Sequence, residues 1–300
     1  VTAVQVRQVD TAALTELRAR EPGRIVAAWD ERALRPMLPE DGRLLLLAAD
    51  HPARGALAVG SDPMAMASRS ELLGRLVTAL ERPGVDGVLG TPDVLDDLLL
   101  LGALEGKVVV GSMNRGGLQG AAWELDDRFT AYTAREIQER GLDGGKMLTR
   151  IALGDPGSLS TLAACAEAIG ELAAHGRMAM VEPFWSVVGE HGVHNLLDPD
   201  SMVRAVQVAS GLGPSSAHTW LKLPVVDDLA RVMDATTLPS LLLGGDPQEA
   251  PAQTYAAWGR ALDLPAVRGL VVGRALLYPP DGDVAGAVDL AADLVHGGSA

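Results

Sequence analysis

A single cysteine, Cys165, stands in 300 residues, inside the alanine-rich helical stretch TLAACAEAIGELAAHG. One thiol forms no disulfide within the chain, which fits a reducing compartment. A cysteine in such a stretch is far more often a buried packing residue than a nucleophile. Long apolar runs are missing too: no segment reaches about 18 consecutive apolar residues, so no membrane-spanning helix is expected. The opening VTAVQVRQVD lacks the charged-then-apolar layout of a secretory signal. The expected location is therefore the cytoplasm. Positive charge is scarce: 25 Lys and Arg against 39 Asp and Glu leave a net −14. That balance argues against nucleic acid or an anionic membrane as a partner, since both demand a basic surface.

Lysine is scarcer still. Only Lys107, Lys146 and Lys222 occur, and the other 22 of the 25 basic residues are arginine. The chain uses guanidinium for nearly every solvated positive charge. Lys146 and Lys222 fall inside strand-like runs, where a function specific to a primary amine would resist replacement by arginine.

What is present is a 48% hydrophobic sequence, ample for a core. Short apolar runs are read as strands at 44–49 (LLLLAA), 86–89 (DGVL), 107–111 (KVVVG), 145–151 (GKMLTRI), 178–182 (MAMVE), 219–223 (TWLKL), 240–243 (SLLL) and 269–272 (GLVV). Helical patterns at 68–81, 93–104, 126–140, 158–175, 199–210, 227–235, 248–262 and 284–295 alternate with them. Eight strand-helix units predict an α/β (β/α)8 barrel, a single domain over 1–300. Residues 1–40 would be an N-terminal extension, helical over 10–38. A doubly wound sheet is the rival, but DHPARGA follows the first strand where a glycine fingerprint would stand.

In a barrel the chemistry lies where strands end. The first predicted strand closes on Asp50 and His51, the third leads into GSMNRGG with Arg115, and the fourth carries Lys146 and Arg150. The fifth ends at Glu182 and Pro183, the sixth holds Lys222, the seventh ends GGDP and the eighth ends at Gly273 and Arg274. Strand alternation puts Lys222 on the side of Trp220, and Lys146 on the side of Leu148 and Arg150. An unpaired ammonium removed from water costs several kcal/mol, so Lys222 must be paired, deprotonated or both. One reading is a structural ion pair. The other is a Schiff-base nucleophile, because burial and a cationic neighbour free an amine's lone pair to attack a carbonyl.

Gly244, Gly245, Gly273 and Arg274 fit a phosphate cradle after the last two strands, or merely tight turns. Lys146, Arg150, Lys222 and Arg274, with Arg115, would supply the positive pocket that an anionic substrate needs in an acidic protein. His191 and His194 (HGVH), in what reads as a long loop after the fifth strand, raise a zinc-dependent alternative with His51. Their spacing matches no full ligand set, so no metal is expected. Trp185 and His194 are instead candidates to shape the pocket. The acidic pairs Asp96–Asp97, Asp126–Asp127 and Asp227–Asp228 read as solvated faces or helix starts.

The order AADH, GGKML, VEP, LKLP, LLLGG and VVGR over residues 44 to 295 resembles the class I (Schiff-base) aldolases of the barrel type. Within them it is similar to tagatose-bisphosphate aldolase and to an actinobacterial aldolase-like group associated with inositol catabolism. The resemblance implies Lys222 as the imine-forming residue and Glu182 and Lys146 as proton-transfer or carbonyl-polarising partners. It implies Asp50 as a substrate-hydroxyl or proton-transfer contact; His51, next in the chain, is a candidate substrate contact by its own position. It also implies a lyase without cofactor that cleaves a phosphorylated ketose or keto-sugar acid. From the second group the substrate would be 2-deoxy-5-keto-gluconate 6-phosphate, split to dihydroxyacetone phosphate and malonate semialdehyde. After the first strand DHPARGA replaces the aspartate-glutamine-arginine-glycine run of the sugar-bisphosphate enzymes, leaving recognition of the second substrate end open. A barrel isomerase or decarboxylase without an imine, and a non-catalytic sugar-phosphate binder, remain alternatives. The expected partner is a small sugar phosphate, with a homo-oligomer also open.

Overall fold

A computed structural model describes residues 5–190, 192–245 and 251–297. Among these, nine strands form one sheet: β1 (Leu44–Ala48), β2 (Gly87–Gly90), β3 (Val108–Ser112), β4 (Gly144–Ile151), β5 (Met178–Gly189), β6 (Gly192–Leu196), β7 (Thr219–Pro224), β8 (Ser240–Leu243) and β9 (Val267–Val272). All but β6 are parallel neighbours in chain order, and β9 returns to pair with β1, which closes a (β/α)8 barrel. Both faces of each barrel strand are covered, so the runs are continuously apolar rather than alternating. Leu44 to Leu47 are all 0% exposed.

Parity divides those residues between two cores. Leu44, Leu46, Ala48, Leu89, Val108, Val110, Met178, Met180, Trp220, Leu241 and Val271 fill the barrel interior. Their neighbours Leu45, Leu47, Val109, Ala179, Leu221 and Leu242 face the helices. Burying each leucine contributes about 1.5–3 kcal/mol, and truncating one to alanine costs about 2–5 kcal/mol. At Gly269 the strand approaches β1 so closely that a Cβ would lie 2.8 Å from the Leu44 nitrogen, at φ +128°. Glycine is required there.

The helices are α1 (Thr11–Arg20), α2 (Gly23–Glu31), α3 (Arg69–Leu80), α4 (Pro92–Leu100), α5 (Ala134–Glu139), α6 (Gly157–Ala174), α7 (Pro199–Ser210), α8 (Leu229–Asp234), α9 (Pro251–Leu262), α10 (Arg274–Leu277) and α11 (Val284–His296). Among the described residues, none is long and apolar enough to cross a membrane. Side-chain caps set several starts: Ser68 accepts from the Glu71 N–H, Asp198 from Ser201, and Thr133 with Glu136 forms a capping box. The N-terminal segment holds two helices, and residues 32–38, expected to be helical, are irregular. Pro36 disfavours helix in the residue before it. This segment is tied to the barrel by Trp29 Nε1 donating to Asp96 (2.8 Å), Arg18 to Asp97 (2.6 Å) and Arg32 to the carbonyls of Lys107 and Gly141 (2.9 and 2.8 Å).

Two further expectations are corrected. Of residues 126–140 only 134–139 are helical: Phe129 bridges to Asn114, and Asp127 is drawn inward by two arginines. The segment after the fifth barrel strand is no loop. β5 continues to Gly189 and folds back as β6, an antiparallel hairpin with Val187 opposite His194 and Trp185 opposite Leu196. At the opposite end of the barrel His296 joins Asp41 (Nδ1 to Oδ2, 2.6 Å) and Asp86 (Nε2 to Oδ2, 3.2 Å). Hydrogen bonding to Asp86 outweighs burial, and with Asp41 it raises the imidazole to about 9.

Candidate active site

The barrel sets Lys222, Lys146, Glu182 and Asp50 into one chain of contacts. In β7, Trp220 and Lys222 point inward while Leu221 and Leu223 face the helices. Lys146 lies level with Met180 in the β4–β5 register, and Met180 with Trp220 in the β5–β7 register; Glu182 stands one inward step higher. Its two oxygens are therefore shared between two strands. Oε1 is 3.0 Å from Lys222 Nζ, and Oε2 contacts Lys146 Nζ. Lys146 Nζ also reaches Asp50 Oδ2 at 3.3 Å. The same Asp50 oxygen accepts from Arg115 Nη1 at 3.0 Å and Ser112 Oγ at 3.2 Å. Asp50 Oδ1 faces His51 Nδ1 at 3.9 Å.

All four side chains are buried, with Lys146 2% and Lys222 3% exposed, so desolvation opposes every charge. Pairing decides the outcome for the acids. Burial alone would raise Asp50, but Arg115, Lys146 and Lys222 together hold it well below the usual carboxylate range. Burial likewise raises Glu182, and Lys146 and Lys222 outweigh it, bringing the carboxyl to about 2. For Lys146 burial leads and lowers the amine against the pull of Asp50 and Glu182. Burial also lowers His51 to about 4 despite Asp50, which makes it a neutral imidazole at neutral pH.

The cavity above these groups has two arms. The larger, about 340 Å³, runs from Asp50, Lys146, Glu182 and Lys222 toward Arg54, Gln119, Glu124, Arg150 and Asn195. The smaller, about 160 Å³, runs toward Gly244, Gly245, Gly273 and Arg274. His51, Glu182, Phe184, Lys222 and Arg274 line both. Gly245 has φ +66°, and the Arg274 guanidinium extends toward the Ala58 carbonyl at 3.4 Å. Asp246 and Pro247 of the GGDP run lie outside the described residues.

Every residue expected for catalysis or anion binding lines these arms, though two arginines expected among the anion ligands are engaged elsewhere. Arg115 is held by the side chain and carbonyl of Asp50. Arg150 is held by Asp127 and Glu124. Asp127, read from sequence as a solvated face, is 0% exposed, because Arg54 and Arg150 both reach it from the barrel mouth. Trp185 and His194 do not line the cavity: alternation along β5 turns Glu182 and Phe184 inward and Trp185 away, and in β6 Asn195 takes the lining position. Nothing in the spacing of Arg54, Gln119, Glu124 and Asn195 marked them beforehand; for Phe184 the parity of the EPFW run was a usable signal. His191 lies outside the described residues. Among the described residues no three or more His, Cys, Asp or Glu side chains group to hold a metal ion. Cys165 is buried on the helix side of the barrel, and burial pushes its thiol up to about 11.

A family model described as Cgl0159-like matches residues 42–292. A comparison with curated proteins gives no match. Among solved structures, the crystal structure of Cgl0159 from Corynebacterium glutamicum (Brevibacterium flavum) is 54% identical, with TM-score 0.93 over 96% of this chain and 97% of that one. An archaeal fructose 1,6-bisphosphate aldolase superposes with TM-score 0.67 at 18% identity, over 87% of this chain and 97% of that one. A Schiff base forming fructose-1,6-bisphosphate aldolase, studied through its reaction intermediates, gives the same values. At that identity the likeness carries the fold.

Proposed function

The chain belongs to the Cgl0159-like family, and from that premise we propose that it is a class I aldolase. It would cleave a phosphorylated ketose or keto-sugar acid through an imine on Lys222. The observation that carries this reading is a buried primary amine at the inner mouth of a barrel, 3.0 Å from a carboxylate whose other oxygen holds a second amine. A Schiff-base forming aldolase among the fold neighbours supports it.

The steps follow from the contacts. Glu182 Oε1 accepts a proton as Lys222 Nζ becomes the attacking amine, and returns it to the carbinolamine hydroxyl, which leaves as water. Lys146 holds the other Glu182 oxygen and keeps the carboxylate aimed at Lys222. In the resulting protonated imine, breaking the bond between the α and β carbons sends its electron pair into a new C=C bond to the imine carbon while the C=N pair moves to nitrogen, which forms an enamine. The hydroxyl on the departing carbon must lose its proton in the same event. In this reading Asp50 accepts it through Oδ1, since Arg115, Lys146 and Ser112 all occupy Oδ2. A carboxylate held so far down is a weak base, so it binds the hydroxyl in the ground state and receives the proton only as the bond breaks. Protonation of the enamine and hydrolysis of the imine then free Lys222.

The smaller arm is the phosphate site in this reading, with Arg274 as counter-charge and Gly244, Gly245 and Gly273 permitting close backbone approach. With its phosphate there and its ketone carbon at Lys222, the substrate extends its remaining carbons into the larger arm. A 2-deoxy-5-keto-gluconate 6-phosphate fits that division, its C4–C6 fragment leaving as dihydroxyacetone phosphate. The test is borohydride reduction with dihydroxyacetone phosphate, followed by peptide mapping. The expected result is a three-carbon phosphate adduct on Lys222. An adduct on Lys146 would reverse the two lysine roles. No adduct, where a control aldolase is trapped, would refute the imine and favour an isomerase, a decarboxylase or a binding protein.

A further inference from the structure

No step of the imine cycle uses His51, yet its ring stands where the two substrate fragments meet. It follows Asp50 beyond the end of β1. Among the described residues it is one of five, with Glu182, Phe184, Lys222 and Arg274, that line both arms of the cavity. Neither ring nitrogen is hydrogen-bonded there. Nδ1 is fully buried and faces Asp50 Oδ1 at 3.9 Å, so the Nε2 edge is the one left to the cavity. The ring fits because residue 273 is glycine: a Cβ at that position would lie 3.1 Å from His51 Cε1.

With the phosphate in the smaller arm and the departing fragment in the larger, the enamine carbon left by cleavage lies at their junction. That carbon must gain a proton before the imine is hydrolysed, from a donor within reach. Glu182 is occupied, one oxygen on Lys222 and the other on Lys146. Lys222 carries the imine, the Arg274 guanidinium keeps its protons, and Phe184 has none to give. His51 is left. Burial, joined by the Lys222 and Arg274 cations, outweighs Asp50 and keeps the imidazole neutral. A neutral ring gives up a proton at one nitrogen by taking one at the other.

Resting on the imine reading, we infer that His51 is a catalytic residue that carries the proton between Asp50 and the enamine carbon. In cleavage Asp50 Oδ1 holds the proton taken from the substrate hydroxyl. His51 Nε2–H then protonates the carbon: the C=C pair forms the new C–H bond, and the nitrogen lone pair restores the iminium. Nδ1 takes the proton from Asp50, which becomes a carboxylate again, and the imidazole stays neutral as its other tautomer. Exchange with water resets the tautomer between turnovers. A shift of about 1 Å brings Nδ1 and Oδ1 from 3.9 Å to hydrogen-bond distance. In the synthetic direction Nε2 takes a proton from the hydroxymethyl carbon of bound dihydroxyacetone phosphate as Nδ1–H gives its own to Asp50.

The test follows deuterium uptake from heavy water at the hydroxymethyl carbon of dihydroxyacetone phosphate by NMR, beside borohydride trapping of the same compound, in the wild type, His51→Asn and His51→Gln. The wild type should do both. Each variant should lose carbon exchange by about 10²–10⁴-fold while the adduct on Lys222 still forms. His51→Gln serves if His51→Asn does not fold. Exchange within about threefold of the wild type in a folded variant would overturn the inference, since a general acid–base group is worth far more. So would exchange and trapping reduced in proportion, the result of a merely structural role. An adduct in the wild type without carbon exchange removes the role of His51 and leaves the imine standing, whereas no adduct in the wild type removes the imine and this role with it.

Discussion

Glu182→Gln is the substitution that most directly probes the site, because it keeps the shape of the side chain and removes only its charge. In the wild type that charge lies between two ammonium groups, with Lys222 Nζ at 3.0 Å and Lys146 Nζ in contact with the other oxygen. Glutamine leaves both buried amines with one fewer counter-ion, and Lys146 with Asp50 alone at 3.3 Å. Removing one partner of a buried ion pair costs about 3–5 kcal/mol. That loss should appear at pH 7 in urea denaturation. The acid limb gives an independent check. The folded Glu182 carboxyl is depressed from 4.5 to about 2, so its stabilising contribution is complete above pH 4.5 and disappears as pH falls through 2. The variant should lack that part of the acid-induced loss. Loss of the proton acceptor should slow imine formation with dihydroxyacetone phosphate by about 10²–10⁴-fold, measured by quenched-flow borohydride trapping. A variant as stable as the wild type at pH 7, with an unchanged rate of adduct formation, would refute the account of Glu182 as both counter-ion and proton carrier.

Arg274→Ala should lower kcat/KM for phosphorylated substrates by about ten- to a hundredfold, the loss of one charge-assisted contact. Unphosphorylated analogues should be little affected, and equal losses for both would show that Arg274 does not read the phosphate. Chelation by EDTA should leave cleavage unchanged, because the iminium already supplies the electron sink; loss of turnover restored by added zinc would contradict the mechanism. His296, raised from 6.5 to about 9 by Asp86 and Asp41, contributes stability that is complete below pH 6.5 and lost as pH rises through 9. His296→Gln should remove that slope from the stability–pH curve, a difference on the order of 1–2 kcal/mol at pH 6.5 after solvent screening. Superimposable curves for the two proteins would show that the imidazolium contributes nothing.

Much of the barrel is legible in the chain because each strand is covered on both faces, so that runs such as LLLL, VVV and SLLL stand out without alternation between helical segments. The catalytic candidates are legible for a related reason. A charged residue inside an apolar run, as in TWLKL or GGKML, must be paired, and parity fixes the face it presents. The β5–β6 hairpin was less visible. SVVG and GVHNL are short runs, and their pairing extends a strand that had already satisfied its role in the barrel.

Which carboxylate answers which cation was decided only by the tertiary structure. Arg54, Arg150 and the pair Glu124 and Asp127 come from three separate segments, and an adjacent Asp126–Asp127 pair has no sequence property that sends one member outward and the other to complete burial. The closed barrel does so, by bringing the turn at Arg54 and the strand at Arg150 to the same mouth, where only a carboxylate entering from the 113–133 loop can balance two desolvated guanidinium groups. Alternation is local and follows from backbone geometry, so the sequence by itself determined the eight barrel strands and the inward face of Lys222. Charge compensation is long-range and depends on where the loops close, so the character of the larger arm was set by the fold alone.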